Sequence, residues 1–177
     1  MIIKKLGAAS LQVCCSMGGG DLVCQLLENG CTIEKLDIKR SGCMAVAGAC
    51  VLGPWSFTQF QTFEKLVPGV GAGAVASKVM MSALVAPIGI ALTFSSVLSL
   101  QGKPSTYILD KISADLVSTW STGAMYWPVV LGFNYRFVPL AHRPLVAAVA
   151  GSAWNVYMAY QTNKAGETAE PADEFHR

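Results

Sequence analysis

Residues 127–143 read WPVVLGFNYRFVPLAHR, a run of aromatic and aliphatic side chains that also carries two prolines and two arginines. A water-soluble core would not bury Arg136 and Arg143 without partners. A simple membrane span would not carry Pro128 and Pro139 with an arginine between them. The tract therefore predicts a segment packed inside a small helical membrane protein near the water boundary, where neighbouring helices bond the backbone groups that the prolines leave free.

The composition of the whole chain indicates the same class of protein. Of its 177 residues, 53% are hydrophobic and 14% are charged, whereas average soluble domains carry roughly a quarter charged residues. The formal net charge of +2 is too small to indicate a nucleic-acid partner. These values favour an integral membrane protein with membrane lipids among its partners.

Long apolar stretches set the number of predicted helices, since a spanning helix needs about 20 predominantly apolar residues. Four stretches approach or exceed that length, namely residues 6–28, 41–63, 73–100 and 144–163. A fifth hydrophobic element, residues 105–140, is interrupted at Pro128. The predicted fold class is all-α: a polytopic membrane bundle of four spanning helices, with a proline-broken amphipathic or half-inserted helix before the last span.

The two ends of the chain are polar. Residues 164–177 hold few apolar groups and predict an acidic tail that follows a single membrane-embedded domain over residues 1–163. Met1–Lys5 is too short for a cleavable leader, and the first helix shows no clean cleavage site. Uncleaved internal targeting fits the mitochondrial inner membrane and, as the second choice, the peroxisomal membrane. Lysine and arginine are nearly balanced between the two sides, so the sequence predicts no orientation.

One face of the first predicted helix is polar, because Asp21, Gln25 and Glu28 are spaced at i, i+4 and i+7. A carboxylate in lipid costs roughly 2.5–3.5 kcal/mol, so this face must contact protein or water. Two interpretations stay open: a polar lumen, or an ion pair between helices that serves only the structure. The candidate residues for a lumen or an interhelical ion pair are Asp21, Gln25, Lys78, Asn134, Arg136 and Arg143.

Small residues and prolines mark the second and third predicted helices. Ala45, Ala49 and Gly53 recur at four-residue spacing, which lets helix backbones approach closely. Pro54, directly after Gly53, predicts a kink or a change of direction, and Pro87 predicts a kink in the third helix.

The sequence carries no catalytic or cofactor signature. Six cysteines lie within the first 50 residues without a Cys-x-x-Cys pair, and neither His142 nor His176 belongs to a zinc motif. Residues 69–74, GVGAGA, superficially fit a dinucleotide fingerprint, but no strand precedes them and no acidic residue follows about twenty positions on. We therefore expect a protein that is not an enzyme and binds no metal or cofactor, with phospholipids such as cardiolipin as candidate ligands.

The tract at residues 127–143 resembles the Mpv-seventeen and peroxisomal-membrane-protein-twenty-two family of small mitochondrial and peroxisomal membrane proteins. The resemblance covers roughly residues 6–162. Its matching residues are Gly20, Asp21, Gln25, Arg40, Gly53, Pro54, Lys78, Pro87, Trp127, Pro128, Asn134, Val138, Pro139, Arg143, Trp154, Asn155 and Tyr157. The resemblance implies four spans and no known enzymatic activity. It also implies a link to non-selective solute passage across the mitochondrial inner membrane and to maintenance of mitochondrial DNA and nucleotide pools.

Several positions depart from the pattern of that family. After Gly53-Pro54 the family typically shows a histidine and then Trp-Tyr, and it usually places polar groups at two later positions. In this chain Phe57, Gln59 and Phe60 stand where the family shows the histidine and Trp-Tyr. Ser82, Ala83 and Leu131 stand at the later positions. Because polar groups inside a membrane are costly and usually kept for a purpose, their loss favours packing against other proteins. The first hypothesis is a structural or accessory subunit of a larger inner-membrane assembly, such as a respiratory-chain or ATP-synthase complex. The alternative is a small-solute channel or pore of the inner mitochondrial or peroxisomal membrane.

Overall fold

The computed structural model describes residues 2–30, 32–69, 71–138 and 143–164, which form helices joined by short turns. The helices are α1 (Ile2–Glu28), α2 (Ile38–Leu66), α3 (Ala72–Leu100), α4 (Ser105–Phe137) and α5 (Arg143–Asn163), with a 3₁₀ turn at Ile33–Lys35 before α2. No strand occurs in these ranges, which confirms the all-α prediction. The predicted acidic tail, apart from Lys164, lies outside the described residues.

Two helices are long and apolar enough to cross a membrane. They are α2 and α3, each with 29 residues. A helix of that length extends about 43 Å and so exceeds the hydrocarbon core of about 30 Å. The predicted spans at residues 6–28 and 144–163 also form helices, but in the described part of the chain only α2 and α3 meet this criterion. The count of four spans remains a prediction.

Helix α4 corrects the prediction of a break at Pro128. The helix runs without interruption over 33 residues, with Pro128 inside it. Proline removes one backbone hydrogen bond, and neighbouring helices can offset that loss. Here Tyr126 stacks on Trp154 of α5, with ring centroids 5.8 Å apart, and Trp127 lies 6.2 Å from the same ring. These contacts with α5 keep α4 continuous at Pro128, where the local cost of proline alone predicts that the helix ends.

Helix α2 contains a π turn at Gly48–Leu52, directly before the Gly53-Pro54 pair. A π turn adds one residue to the helical repeat. Pro54 then falls in the first turn of the α-helical segment Gly53–Leu66, where the missing N–H is least costly. The irregularity predicted at Gly53-Pro54 is therefore a π turn within a continuous helix.

Glycines allow α1 and α2 to touch backbone to backbone. A Cβ at Gly48 would lie 2.9 Å from the Val13 carbonyl oxygen, and one at Gly53 would lie 2.6 Å from the Cα of Ser10. The close approach predicted at Gly53 is confirmed, and Gly48 makes a second one. The π turn at Gly48–Leu52 puts Gly48 and Gly53, five residues apart, on the same face of α2.

Gly53→Ala is expected to lower the free energy of unfolding by about 1–3 kcal/mol, since its methyl group has no room beside the backbone of α1. Gly42→Ala in the same helix is the matched control, because a Cβ there meets nothing within 4 Å. Alanine favours helix over glycine by about 0.5–1 kcal/mol, so the control should be neutral or stabilising. Denaturant titration in mixed micelles measures both, and equal shifts for the two variants would contradict the close contact.

Helix α3 continues through Pro87. Pro87 has no N–H, so it cannot bond the carbonyl of Ala83 four residues earlier. Trp120 of α4 supplies the missing donor, and its Nε1 lies 2.9 Å from that oxygen. A neighbouring helix thus bonds a backbone group that a proline leaves free.

Trp120→Phe is expected to lower the free energy of unfolding by about 0.5–1.5 kcal/mol, because it removes this donor and keeps an aromatic ring. In a Pro87→Ala background the restored N–H can bond the Ala83 carbonyl, so the same change should cost less. Unfolding titrations of the four proteins in this cycle measure the difference. An equal loss in both backgrounds would show that Trp120 acts by packing alone.

Candidate functional site: a polar junction at one end of the bundle

Asp21 lies at the centre of a polar cluster where α1 ends and α2 begins. Its carboxylate is 0% exposed. The Nε2 of Gln25 and the Oγ of Ser41 donate to Oδ2 at 2.8 and 2.7 Å. The Nε of Arg40 donates to Oδ1 at 2.9 Å. Each of these bonds stabilises the ionised carboxylate, so charge that would be prohibitive in lipid is compensated inside protein.

Gln25 ties α1 to the start of α2. Its side-chain amide donates to the carbonyl of Asp37 at 3.0 Å and accepts from the backbone N–H of the same residue at 2.6 Å. The carboxylate of Asp37 in turn accepts from the backbone N–H of Arg40 at 3.0 Å and caps α2. One buried amide thereby places the N-terminus of α2 over the polar face of α1.

Arg40 joins two acidic residues of α1. In addition to its bond with Asp21, the guanidinium donates from Nη1 to Glu28 at 2.9 Å and from Nη2 to the sulfur of Cys24 at 3.6 Å. Two carboxylates and one guanidinium leave this group with a net charge of −1. The fork of donors fixes both helices in one relative position, as arginine pairs commonly do.

Two further helices reach the same place. Asn163, at the end of α5, donates to the Ala159 carbonyl at 2.8 Å and makes a long contact of 3.5 Å to Asp21. Gln101, at the end of α3, donates to Asn163 at 2.7 Å. We call this cluster the four-helix junction. It consists of Asp21, Gln25, Arg40, Ser41, Asn163 and Gln101.

The structure brings together only part of the set of candidate residues. Asp21 and Gln25 share the junction, whereas Lys78, one of the candidate cations, does not reach it. Lys78 contacts Glu64 and donates to the Gly69 carbonyl at 2.8 Å. It lies in the second turn of α3, and the 23 residues from Lys78 to Gln101 correspond to about 34 Å of helix. The cation of the junction is Arg40, which the sequence indicated only through the family resemblance.

The remaining candidates divide into two groups. The side chains of Asn134, Arg136 and Arg143, and all of Pro139, lie outside the described residues, so their roles stay predictions. Trp154 belongs instead to an aromatic cluster between α4 and α5. Its ring lies close enough to Gly123 that a Cβ there would be 2.9 Å away. The rings of this cluster are Tyr126, Trp127, Trp154 and Tyr157.

A groove opens at the opposite end of the bundle, between α1, α2 and α5. Its volume is about 630 Å³. Its wall is mixed. Apolar side chains such as Val13, Phe57 and Phe60 line it together with the polar side chains of Lys5, Gln12, Ser16, Gln61, Glu64 and Asn155. The Nδ2 of Asn155 donates to the Oγ of Ser16 at 2.7 Å. Ser16 precedes Asp21 by five residues, so about 7.5 Å of helix separates this contact from the junction.

A second buried polar cluster, which sequence reasoning missed, lies between α4 and α5. Lys111 and Lys164 contact opposite oxygens of Asp115 at 2.8 and 3.0 Å. Lys111 is 3% exposed. The spacing of Lys111, Asp115 and Thr119 at i, i+4 and i+8 was the available signal for a shared face. Among the described residues, no group of three or more His, Cys, Asp or Glu side chains could hold a metal ion.

These features define a helical membrane protein whose buried charges, Asp21, Lys111 and Asp115, lie in ion pairs. Two helices could span a bilayer, and large apolar side chains such as Ile3, Leu84, Val129 and Phe137 face outward. Comparison with known proteins agrees with this class. The model of the Mpv17 / PMP22 family matches residues 98–159. No solved structure matches the chain.

The relatives are similar over most of their length. The chain is 32% identical to Protein sym-1 of Neurospora crassa, over 81% of this chain and 83% of the relative. It is 27% identical to Mitochondrial inner membrane protein Mpv17 of Xenopus laevis, over 84% of each chain. It is 30% identical to Protein SYM1 of Gibberella zeae, over 80% and 81%. The chain belongs to the Mpv17 / PMP22 family, and it is a membrane protein of the mitochondrial inner membrane.

Proposed function

We propose that the chain is a small-solute channel of the mitochondrial inner membrane, closed in the conformation described here. The observation that carries this proposal is the groove between α1, α2 and α5, whose mixed wall includes polar side chains of all three helices. Polar side chains within a helical membrane protein are costly unless they face protein or water. The polar part of the wall can bind water, so the groove serves as a vestibule for small polar solutes.

The vestibule ends about halfway through the bundle. From Lys5 to Ser16, α1 advances by about 16 Å, roughly half of a hydrocarbon core. There the Asn155–Ser16 hydrogen bond joins α5 to α1. One turn further, Gly20 packs against Asn155, and a Cβ at Gly20 would lie 3.1 Å from its backbone. This close packing and the four-helix junction below it close the path.

Cysteine accessibility tests the vestibule. All six native cysteines are replaced, and Gln12→Cys is compared with Leu11→Cys in proteoliposomes and planar bilayers. Both side chains are exposed on α1, but Gln12 lines the groove and the neighbouring Leu11 does not. A charged thiol reagent is expected to reduce conductance at position 12 and to leave it unchanged at position 11. A folded protein that conducts no ion or small solute would overturn the proposal, as would equal block at both positions.

The second candidate function is an accessory subunit of a larger inner-membrane assembly, such as a respiratory-chain or ATP-synthase complex. Phe57 favours it, because this apolar ring lines the groove at the position where the family typically shows a histidine. The exposed rings of Phe60 and Phe133 offer apolar surface for neighbouring subunits. Purification in mild detergent followed by mass spectrometry tests this role. Migration of the protein only alone or as a small homo-oligomer would exclude it.

A further inference from the structure

The polar cluster between α4 and α5, the α4–α5 seam, is a candidate binding site separate from the groove and the junction. It consists of Lys111, Asp115, Thr119, Gln161 and Lys164. Lys111 bridges the two helices, since its Nζ lies 2.8 Å from Asp115 and donates to the Lys164 carbonyl at 2.8 Å. Lys164 contacts Asp115 at 3.0 Å from the α5 side. These ion pairs give each charged group of the seam a partner and leave a net charge of +1. They do not involve the neutral polar groups of the seam.

Among the residues that the structure describes, three buried oxygens of the seam make no hydrogen bond. They are Oγ1 of Thr119, Oε1 of Gln161 and Oδ2 of Asp115. The last lies within ion-pair distance of Lys111 without an aligned hydrogen bond. Thr119 is 0% exposed and Gln161 is 8% exposed, so bulk water does not reach them. Buried polar atoms are nearly always bonded to protein or to an ordered water.

The register of the two antiparallel helices places Asp115, Thr119 and Gln161 on facing stretches of α4 and α5. The hydroxyl of Tyr157 donates to Thr122 at 3.2 Å, and Lys164 contacts Asp115. Gln161 lies between these two points on α5, and Thr119 lies between them on α4. The amide of Gln161 also donates to the Tyr157 hydroxyl at 2.8 Å, which ties this side chain to the Tyr157–Thr122 contact between the two helices.

We propose that a water molecule binds in the seam between Asp115, Thr119 and Gln161. A water donates two hydrogen bonds and accepts two, and an internal water typically has about three partners. It can donate to the Asp115 and Gln161 oxygens while it accepts from the Thr119 hydroxyl. A metal cation is excluded by charge, because Lys111 and Lys164 already bring two positive charges to one carboxylate. Because a water molecule can both donate and accept hydrogen bonds, it can bond the Gln161 side chain whether the amide oxygen or the amide nitrogen faces it.

Water-edited solid-state NMR in lipid bilayers tests the site directly and does not depend on the channel proposal. Magnetisation should pass from water to the side-chain amide of Gln161 within milliseconds. The amide of Gln25 is the control. It is 2% exposed, and its described partners are protein groups at Asp21, Asp37 and Ser41. No transfer to Gln161 beyond that seen for Gln25 would overturn the proposal.

A variant supplies a second readout. Thr119→Val keeps the shape of the side chain and removes its hydroxyl. If the hydroxyl binds water, the variant loses a bond and its thermal midpoint falls, while Thr119→Ser stays close to the parent protein. If the site is dry, Val removes an unsatisfied group and the midpoint rises, which would refute the bound water. Where the Val variant does not fold, the NMR measurement on the parent protein decides.

Discussion

Arg40→Gln should lower the free energy of unfolding by about 3 kcal/mol, because it leaves the buried Asp21 carboxylate without its cation. Asp21 is 0% exposed, so water cannot replace the guanidinium. Lys39→Gln is the matched control, since this neighbouring cation is exposed and no ion pair is described for it. Denaturant titration in mixed micelles should show a large loss for the first variant and a change within about 0.5 kcal/mol for the second.

A double variant separates loss of the pair from loss of packing. Adding Asp21→Asn to Arg40→Gln removes the stranded charge, so part of the lost stability should return. Equal losses for the Arg40 and Lys39 variants would show that the junction contributes little beyond its surface charge. No recovery in the double variant would assign the role of Arg40 to its contacts with Glu28 and Cys24.

If the junction closes the path, Asp21→Asn alone should raise the open probability of the channel about tenfold. The amide keeps the shape of the carboxylate but loses its charge, which weakens the bond to Arg40. A closed state destabilised by about 1.4 kcal/mol relative to the open state shifts that equilibrium by about tenfold. Single-channel recording measures the open fraction, with Asp110→Asn as the control because Asp110 is an exposed acid of α4.

If the Asp21→Asn protein retains its fold and its open probability is unchanged, the junction is not part of a gate. The junction would then be a structural clamp, and the channel proposal would depend on the groove alone. The cysteine comparison at positions 11 and 12 tests that remaining part independently.

The helical fold could be predicted from the sequence, because the apolar stretches that form helices are local features of the chain. Asp21 and Gln25 lie one turn apart, so spacing alone placed them on one face. The partner of that face was not predictable, since Arg40 reaches it only through the turn between α1 and α2. Lys78 was a reasonable partner by charge, but the length of α3 places it at the far end of the bundle.

The other discrepancies also come from tertiary contact. At Pro128 the local cost of proline predicted a break, whereas aromatic packing onto Trp154 keeps α4 continuous. The sequence did not predict the α4–α5 seam, because Lys111 and Asp115 have the spacing of ordinary surface charges on an amphipathic helix. Only the approach of α5, with Lys164 at its end, shows that they are buried.

The contact between α1 and α2 determines which part of the protein is free to move. Their backbones meet at Gly48 and Gly53, and Arg40 crosslinks their ends, so the pair behaves as one rigid body. Helix α5 contacts α1 through the Asn155–Ser16 hydrogen bond, the close packing at Gly20 and the 3.5 Å contact of Asn163 with Asp21, and the described residues of these two helices form no ion pair with each other. A displacement that widens the groove would therefore slide α5 along a fixed α1–α2 hairpin.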